Sequence, residues 1–261
     1  MKILVSNDDG IHAVGIRKLV EKLSRYHEVY VAAPEQERSA TGHALTLHKP
    51  LRAKEIDIEL PVKSAHAITG TPSDCVKLAL HVIYSDIKFD ALVSGINHGP
   101  NLGSDVLYSG TVSAALEGAM NGLPSFAISL VNGHTKLADF GPSAQFIKDF
   151  LPRALEKGVP EKSILNINIP AVALQEFAGI KVTELGVSMY TDTYDRREDP
   201  RGGVYYWLAG EIAEGVESED SDVEAIRNNR VSITPVHYNL TNYAALNHLR
   251  ASLEKNGNSK K

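Results

Sequence analysis

Apolar positions in the first two thirds of the chain fall into two kinds of pattern. Short continuous apolar runs predict buried strands at 2–6, 28–33, 89–96, 124–130 and 164–170. Apolar residues at helical spacing predict helices over 14–24, 74–81, 111–120 and 143–156, with Ser73 as the expected cap of the second. Because strands and helices alternate, the pattern implies βαβ units and a parallel sheet.

Two segments depart from this alternation. Residues 34–43 are polar and predict a loop, and 44–69 read as an extended β excursion. After about residue 180 the segments 181–186, 203–209 and 231–238 resemble strands with no regular helix between them. A charged turn is expected at 192–203, a last helix at 242–253 and a frayed tail at 256–261.

The expected fold class is therefore α/β, with a three-layer αβα, Rossmann-like core and a mostly parallel sheet. We divide the chain into a catalytic core over 1–180 and an extension over 181–261, within one structural domain overall. The extension is expected to hold a β-hairpin, with Tyr205, Tyr206 and Trp207 on one strand, and a C-terminal helix. Covering the core and pairing with another subunit are both open as its role.

Composition removes several classes of function. A net charge of −5 and a pI near 6.1 argue against binding of nucleic-acid duplexes. The single cysteine, Cys75, excludes an intramolecular disulfide and is expected to be a small buried side chain in a reducing compartment. No apolar run approaches the ~20 residues of a membrane span, and the chain enters a strand at once, so we expect a cytoplasmic protein without membrane contact.

Three polar loops follow three of the predicted core strands. They are NDDG at 7–10, PEQERSATGH at 34–43 and the Gly- and Asn-rich segment at 94–111. Ligands of open parallel sheets bind beyond the carboxyl ends of the strands, so these loops are expected to converge on one edge.

The first loop places Asp8 beside Asp9. Neighbouring side chains of a strand point to opposite faces, so both carboxylates can meet only if the backbone turns, as Gly10 allows. Two converging carboxylates repel each other unless a cation or proton intervenes, and oxygen ligands suit Mg²⁺ or Mn²⁺. The competing interpretation is an Asx turn that caps the following helix.

The other two loops add neutral groups. Ser39 can be a modest oxygen ligand, a hydrogen-bond donor to phosphate or only a solvated turn residue. The side chain of Asn97 can give a carbonyl oxygen to a metal. Ser109, Gly110 and Thr111 open a helix, where free N–H groups can seat a phosphate or Ser109 can act only as an N-cap.

Other common catalytic signatures are missing from the sequence. It has no P-loop, no GxSxG elbow and no HExxH pair. His12, His43 and His98 lie in or near the loops, and we interpret them as hydrogen-bonding or solvated residues, with His98 the best outside candidate for proton transfer.

Four motifs together resemble a known family. MKILVSNDDG at 1–10, RSA at 38–40, LVSGINHGPNLG at 92–103 and YSGTVSAALEGAM at 108–120 are similar to the stationary-phase survival protein SurE, a family of nucleotidases. They cover the first half of the chain in the order and spacing of the family. The second motif is the looser match, because the family often has Gly where Ala40 stands.

The resemblance implies a divalent-metal-dependent phosphomonoesterase for nucleoside 5′- and 3′-monophosphates, and in some members for short polyphosphate. It implies one metal ion per subunit, Mg²⁺ or Mn²⁺, held by Asp8, Asp9, Ser39 and Asn97, and phosphate contacts from Ser109, Gly110 and Thr111. It also implies a homodimer or homotetramer with exchanged C-terminal segments.

The expected mechanism is attack of water on the phosphoester, with Asp8 and Asp9 as catalytic residues and Asp8 preferred as proton acceptor. Two alternatives use the same residues. One is a sensor that binds metal and nucleotide without hydrolysis, and the other is an oligomeric scaffold with a vestigial metal site.

Overall fold

The computed structural model describes residues 1–131, 139–187, 193–209 and 217–257. Its strands are β1 (Lys2–Ser6), β2 (Glu28–Pro34), β3 (Ala53–Glu55), β4 (Ser64–Ile68), β5 (Ala91–His98), β6 (Ser125–Val131), β7 (Ser163–Pro170), β8 (Ile180–Val182), β9 (Tyr194–Glu198), β10 (Val204–Leu208) and β11 (Val231–His237). Its α-helices are α1 (Val14–Leu23), α2 (Pro72–Leu78), α3 (Gly110–Met120), α4 (Gly141–Lys157), α5 (Asp222–Arg227) and α6 (Tyr243–Gly257).

Nine of these strands form one sheet in the order β3-β4-β2-β1-β5-β6-β7-β11-β8. The six from β4 to β7 are parallel, whereas β3 and β11 each run antiparallel to their inner neighbour. The chain moves outward from β1 through β2 to β4 and then returns to place β5 on the other side of β1. The topological switch point, where such folds bind ligands, therefore lies between β1 and β5.

Side chains of the sheet pack against a helical layer on each face. Ile3 and Val5 of β1 belong to the core with α1 and α4, whereas Leu4 belongs to the core with α2 and α3. This alternation is the period of two expected of a central strand buried on both faces. The three-layer αβα, mostly parallel fold is confirmed, and Cys75 is buried within α2 as predicted.

The C-terminal segment contributes both to the sheet and outside it. Strand β11 pairs with β7 along Ser232–His237, so part of 181–261 continues the main sheet beyond the boundary set at residue 180. Strands β9 and β10 form a separate antiparallel hairpin whose residues are all exposed. The oligomerisation role of the extension stays a prediction.

Several local predictions were wrong. Residues 194–198 form strand β9 instead of a turn, because a strand exposed on both faces carries no apolar alternation for the sequence to reveal. The six-residue helix α5 was not predicted, because it is too short to show a helical spacing of apolar residues. Helix α2 is capped by Thr71, not Ser73: the Thr71 hydroxyl accepts from the N–H of Asp74, whose carboxylate accepts from the N–H of Thr71.

The extended excursion over 44–69 is confirmed only in part, as β3 and β4. The predicted frayed tail begins inside α6, and its residues 258–261 lie outside the described ranges, as does residue 192 of the predicted turn. Within the described ranges, no helix combines the length and the apolar character needed to span a bilayer.

Candidate active site

The backbone turns at Gly10, immediately after the two aspartates. Gly10 has a φ of +98°, and a Cβ there would come within 3.2 Å of the Gln36 carbonyl carbon. The Asn7 amide nitrogen donates to the Gly10 carbonyl at 2.9 Å and so closes the turn from within. Glycine is therefore required both by conformation and by space, as the sequence suggested.

Asp8 lies against the N-terminus of α3. Its Oδ1 accepts a hydrogen bond from the Thr111 hydroxyl, and the backbone N–H groups of Gly110 and Thr111 also lower its pKa. Burial has the larger effect and raises the pKa of this carboxyl. The helix end assigned to phosphate from the sequence thus already faces a carboxylate of the protein.

The close approach of Asp8 to α3 depends on Gly110. A Cβ at Gly110 would come within 2.7 Å of the Asp8 Cβ and 2.9 Å of its Oδ2. Ser109 caps the helix by accepting from the N–H of Val112 at 3.1 Å. The N-cap interpretation of Ser109 is therefore confirmed as one role of its hydroxyl, and phosphate contact by 109–111 stays a prediction.

Asp9 lies beside Asp8 and reaches the end of β5. Its Oδ2 accepts from the backbone N–H of His98 at 3.1 Å. Burial and then the charge of Asp8 raise the pKa of Asp9 to about 6, and Glu37 adds a smaller effect in the same direction. The charge of Asp8 thus acts on Asp9 in the direction expected of two neighbouring carboxylates.

The donor set fits a hard divalent cation. Asn7 Oδ1 is buried and lacks a hydrogen-bond partner, although it lies next to the two aspartates. The Asn97 side-chain NH₂ donates to the Gly99 carbonyl at 2.9 Å. This hydrogen bond does not use the amide oxygen of Asn97. In the described part of the chain no three His, Cys, Asp or Glu side chains are grouped to hold a metal, so a cation here needs neutral oxygen ligands beside the carboxylates.

Ser39 occupies an exposed position on the second loop. Its hydroxyl donates to Glu37 Oε1 at 2.7 Å, and the preceding N–H, from Arg38, donates to the Asp8 carbonyl at 2.7 Å. Ala40 has a φ of +55°, a left-handed conformation that favours glycine. The loop therefore reaches the site, but Ser39 as a ligand stays a prediction.

Glu117 of α3 holds the second loop, at 34–43, through its contact with His43. Its carboxylate is buried and contacts His43 Nε2 at 3.1 Å and Lys77 Nζ at 3.0 Å. The hydrogen bond with His43, followed by that with Lys77, lowers the pKa of Glu117 to about 2. Asp74 holds the segment that follows this loop, because it accepts from the Thr46 N–H at 3.1 Å.

We expect Glu117→Gln to lower the free energy of unfolding at pH 7 by roughly 1–3 kcal/mol, since hydrogen bonds to a charged group are lost. A lowered carboxyl pKa stabilises the fold above the unfolded value of 4.5, and this contribution disappears as the pH falls toward 2. Denaturant unfolding should therefore show a smaller difference in the free energy of unfolding between wild type and Glu117→Gln at pH 3 than at pH 6. Glu28→Gln, at an exposed carboxylate 4.0 Å from Lys63, is the control and should show almost no difference. If Glu117→Gln differed from wild type by the same free energy of unfolding at both pH values, this explanation would be contradicted.

A cavity of about 310 Å³ opens beside Asp9. Its lining combines the carboxylates of Asp9 and Glu37 with the rings of His98 and Phe140, whose centroids are 6.1 Å apart. The cavity thus joins a charged side to an aromatic one. Of the other two histidines singled out from the sequence, His12 is exposed and His43 binds Glu117.

A buried polar network supports the third loop and was missed from the sequence. The Asn101 carbonyl accepts from the side chains of Asn166 and Asn168, and the Asn101 side chain donates to Ser129 at 2.8 Å. The polar alternation in ILNINIP at 164–170 was its signal, because two asparagines on one face of a buried strand require partners.

Fold and site together define a doubly wound α/β protein whose switch point holds two adjacent carboxylates, neutral oxygen atoms and a helix N-terminus. Such a site suits a hard cation and an anionic ligand. The chain belongs to the SurE family: the family model described as Survival protein SurE matches residues 3–192.

Known relatives agree over almost the whole length. A protein of Moorella thermoacetica named 5′-nucleotidase SurE is 50% identical over 253 residues, which cover 97% of this chain and 96% of the relative. Its namesake from Synechococcus elongatus is 49% identical over 257 residues, 95% of this chain and 98% of its own. The crystal structure of the SurE protein from Aquifex aeolicus superposes with a TM-score of 0.83 at 39% identity and covers 96% of this chain and 99% of its own.

Proposed function

We propose that this chain is a 5′-nucleotidase that hydrolyses nucleoside monophosphates to nucleoside and phosphate with the help of one divalent cation, Mg²⁺ or Mn²⁺. The observation that carries the proposal is the adjacent pair Asp8 and Asp9 at the switch point, where Asp8 accepts from the Thr111 hydroxyl at the start of α3 and Asp9 accepts from the His98 N–H at the end of β5. The name shared by relatives at 46–50% identity supports the reaction class.

A bound cation would supply charge neutralisation of the phosphate and a lower pKa for the attacking water. Asp8 and Asp9 would hold it, with Asn97 and Ser39 as neutral oxygen ligands and Asn7 Oδ1 as a further oxygen nearby. The Thr111 hydroxyl and the N-terminus of α3 keep Asp8 in one orientation.

We propose Asp9 as the group that accepts the proton of the attacking water. Asp9 lines the cavity, whereas Asp8 is buried and its Oδ1 is occupied by the Thr111 hydroxyl. This proposal reverses the assignment preferred from the sequence. We keep 109–111 as the proposed phosphate contacts: the partial positive charge of the α3 N-terminus, which already acts on Asp8, would also act on phosphate oxygens bound beside it.

The nucleoside has a suitable place in the cavity beside Asp9. A volume of about 310 Å³ lies at the lower end of the usual range for small-molecule sites. The rings of His98 and Phe140 offer apolar faces on which a base can pack.

We also propose a cytoplasmic homodimer or homotetramer. The hairpin of β9 and β10 exposes Tyr205, Tyr206 and Trp207 on one strand, and such exposed aromatic side chains are typical of subunit contacts. Sedimentation of the full chain tests this part, and a monomer at micromolar concentration would contradict it.

The function is tested by phosphate release from AMP, GMP and CMP, with short polyphosphate as a further substrate. We expect release with Mn²⁺ or Mg²⁺ for the nucleotides. Parallel binding measurements separate the enzyme from the sensor, because a sensor binds AMP without releasing phosphate. Binding without release would replace the proposed function by the sensor.

A further inference from the structure

Asp222 is a fully buried carboxylate that lies outside the proposed metal and phosphate contacts. It is the first residue of α5, after the exposed hairpin in the chain. Burial raises its pKa, and hydrogen bonds from three backbone N–H groups oppose that effect. Burying a carboxylate is costly unless it is well hydrogen-bonded. The hydrogen-bond partners of Asp222 therefore indicate which parts of the chain it serves.

The two oxygens of Asp222 serve different parts of the chain. Oδ1 accepts from the N–H groups of Gly186 at 2.8 Å and Val223 at 2.9 Å, both in the C-terminal segment. Oδ2 accepts from the N–H of Gly103 at 2.9 Å, across 119 residues of sequence. Three N–H donors on two oxygens favour the ionised carboxylate, which accepts only.

Gly103 lies in the middle of the third loop. Asn97 is six residues before it, and the 3₁₀ turn Gly103–Leu107 leads from it to Ser109 and the start of α3. Two residues before Gly103, the N–H of Asn101 donates to Asn168 at 2.9 Å. The third loop is thus held at Asn101 by β7 and at Gly103 by Asp222.

We propose that Asp222 is a positioning residue: through the N–H of Gly103 it holds Asn97 and the N-terminus of α3 at their correct separation around Asp8 and Asp9. The effect on turnover rests on the proposed function. The contact also makes the site depend on the segment that follows the hairpin.

Asp222→Asn isolates this contact. An asparagine offers one oxygen, which can keep the two N–H donors now on Oδ1, while its NH₂ group then opposes the N–H of Gly103. The matched control is Ser221→Ala at the next position. Ser221 is equally buried and caps the same helix through the N–H of Glu224 at 3.1 Å.

We expect Asp222→Asn to lower kcat for AMP by roughly 10- to 100-fold, because small misplacements of catalytic groups have effects of this size. The apparent affinity for Mn²⁺, measured by calorimetry without nucleotide, should fall about 10-fold if 1.4 kcal/mol of preorganisation is lost. Ser221→Ala should lower Tm about as much as Asp222→Asn does. It should, however, keep the wild-type kcat and Mn²⁺ affinity. Equal losses in the two variants, or unchanged kcat and Mn²⁺ affinity in Asp222→Asn, would overturn the proposal.

Amide hydrogen exchange tests the contact in the wild-type protein and so does not depend on a folded variant. The Gly103 amide should exchange slowly, and in Asp222→Asn it should lose protection while the Gly186 and Val223 amides keep theirs. Unprotected exchange of Gly103 in the wild type would overturn the proposal. Wild-type protein that releases no phosphate, but shows the predicted exchange and Mn²⁺ results, would refute the proposed function and support the positioning role.

Discussion

Asp8→Asn is expected to lower kcat for AMP by roughly 10³-fold, because about 4 kcal/mol of transition-state stabilisation by the cation is lost. The asparagine keeps the shape of the side chain and an oxygen that can accept from the Thr111 hydroxyl. Steady-state phosphate release at saturating Mn²⁺ measures the effect.

The same variant should be about as stable as wild type in the absence of metal. Burial raises the pKa of Asp8, so a neutral amide removes the cost of the ionised form, whereas the new NH₂ group opposes a backbone N–H that donates to the carboxylate. Asp90→Asn is the control, since Asp90 binds the N–H of Lys2 at the opposite end of the same strands and should keep full activity. Near-normal turnover in folded, metal-saturated Asp8→Asn would contradict the assignment.

Gly110→Ala should reduce kcat by roughly 10²-fold, because the added methyl group must displace Asp8 or the start of α3. The new Cβ would meet the Asp8 Cβ at 2.7 Å and Pro72 Cγ at 3.0 Å. Phosphate release and thermal unfolding together measure the effect, and Tm should fall as well.

The matched control for Gly110→Ala is Gly141→Ala, a glycine at the same position of α4. The three atoms nearest to its added Cβ would all belong to the side chain of Asp139, the first of them at 3.0 Å. We expect wild-type activity for this variant. Equal activity in the two variants would show that Gly110 is not needed for the approach of α3 to Asp8.

The predictable part of the site is the part with a local signal. The turn at Gly10 and the start of α3 at Gly110 follow from residue type and chain position. Their convergence follows from parallel topology, because loops at the carboxyl ends of adjacent strands share one edge.

The unpredicted contacts are long-range. Asp222 reaches Gly103 across 119 residues, and nothing near Asp222 in the sequence reports on that loop. Occupation of the α3 N-terminus by Asp8 was also missed, because the sequence indicates an anion seat without showing which anion fills it.

Some local errors were avoidable. Thr71, Pro72 and Asp74 form a capping-box signature with Pro at the first helical position, which favoured Thr71 over Ser73 as the cap. Strand β9 was not accessible in this way, since YDRRE has no apolar face to set a period.

In the proposed function, Asp8 and Asp9 hold one divalent cation on which hydrolysis depends. The most direct measurement is a Mn²⁺ titration of metal-stripped protein that follows ion binding and phosphate release from AMP together. We predict that both rise in parallel to one ion per subunit, that chelator abolishes release, and that Asp8→Asn loses both. Release that continues at full rate without metal, or Mn²⁺ binding by Asp8→Asn as tight as by wild type, would contradict the claim.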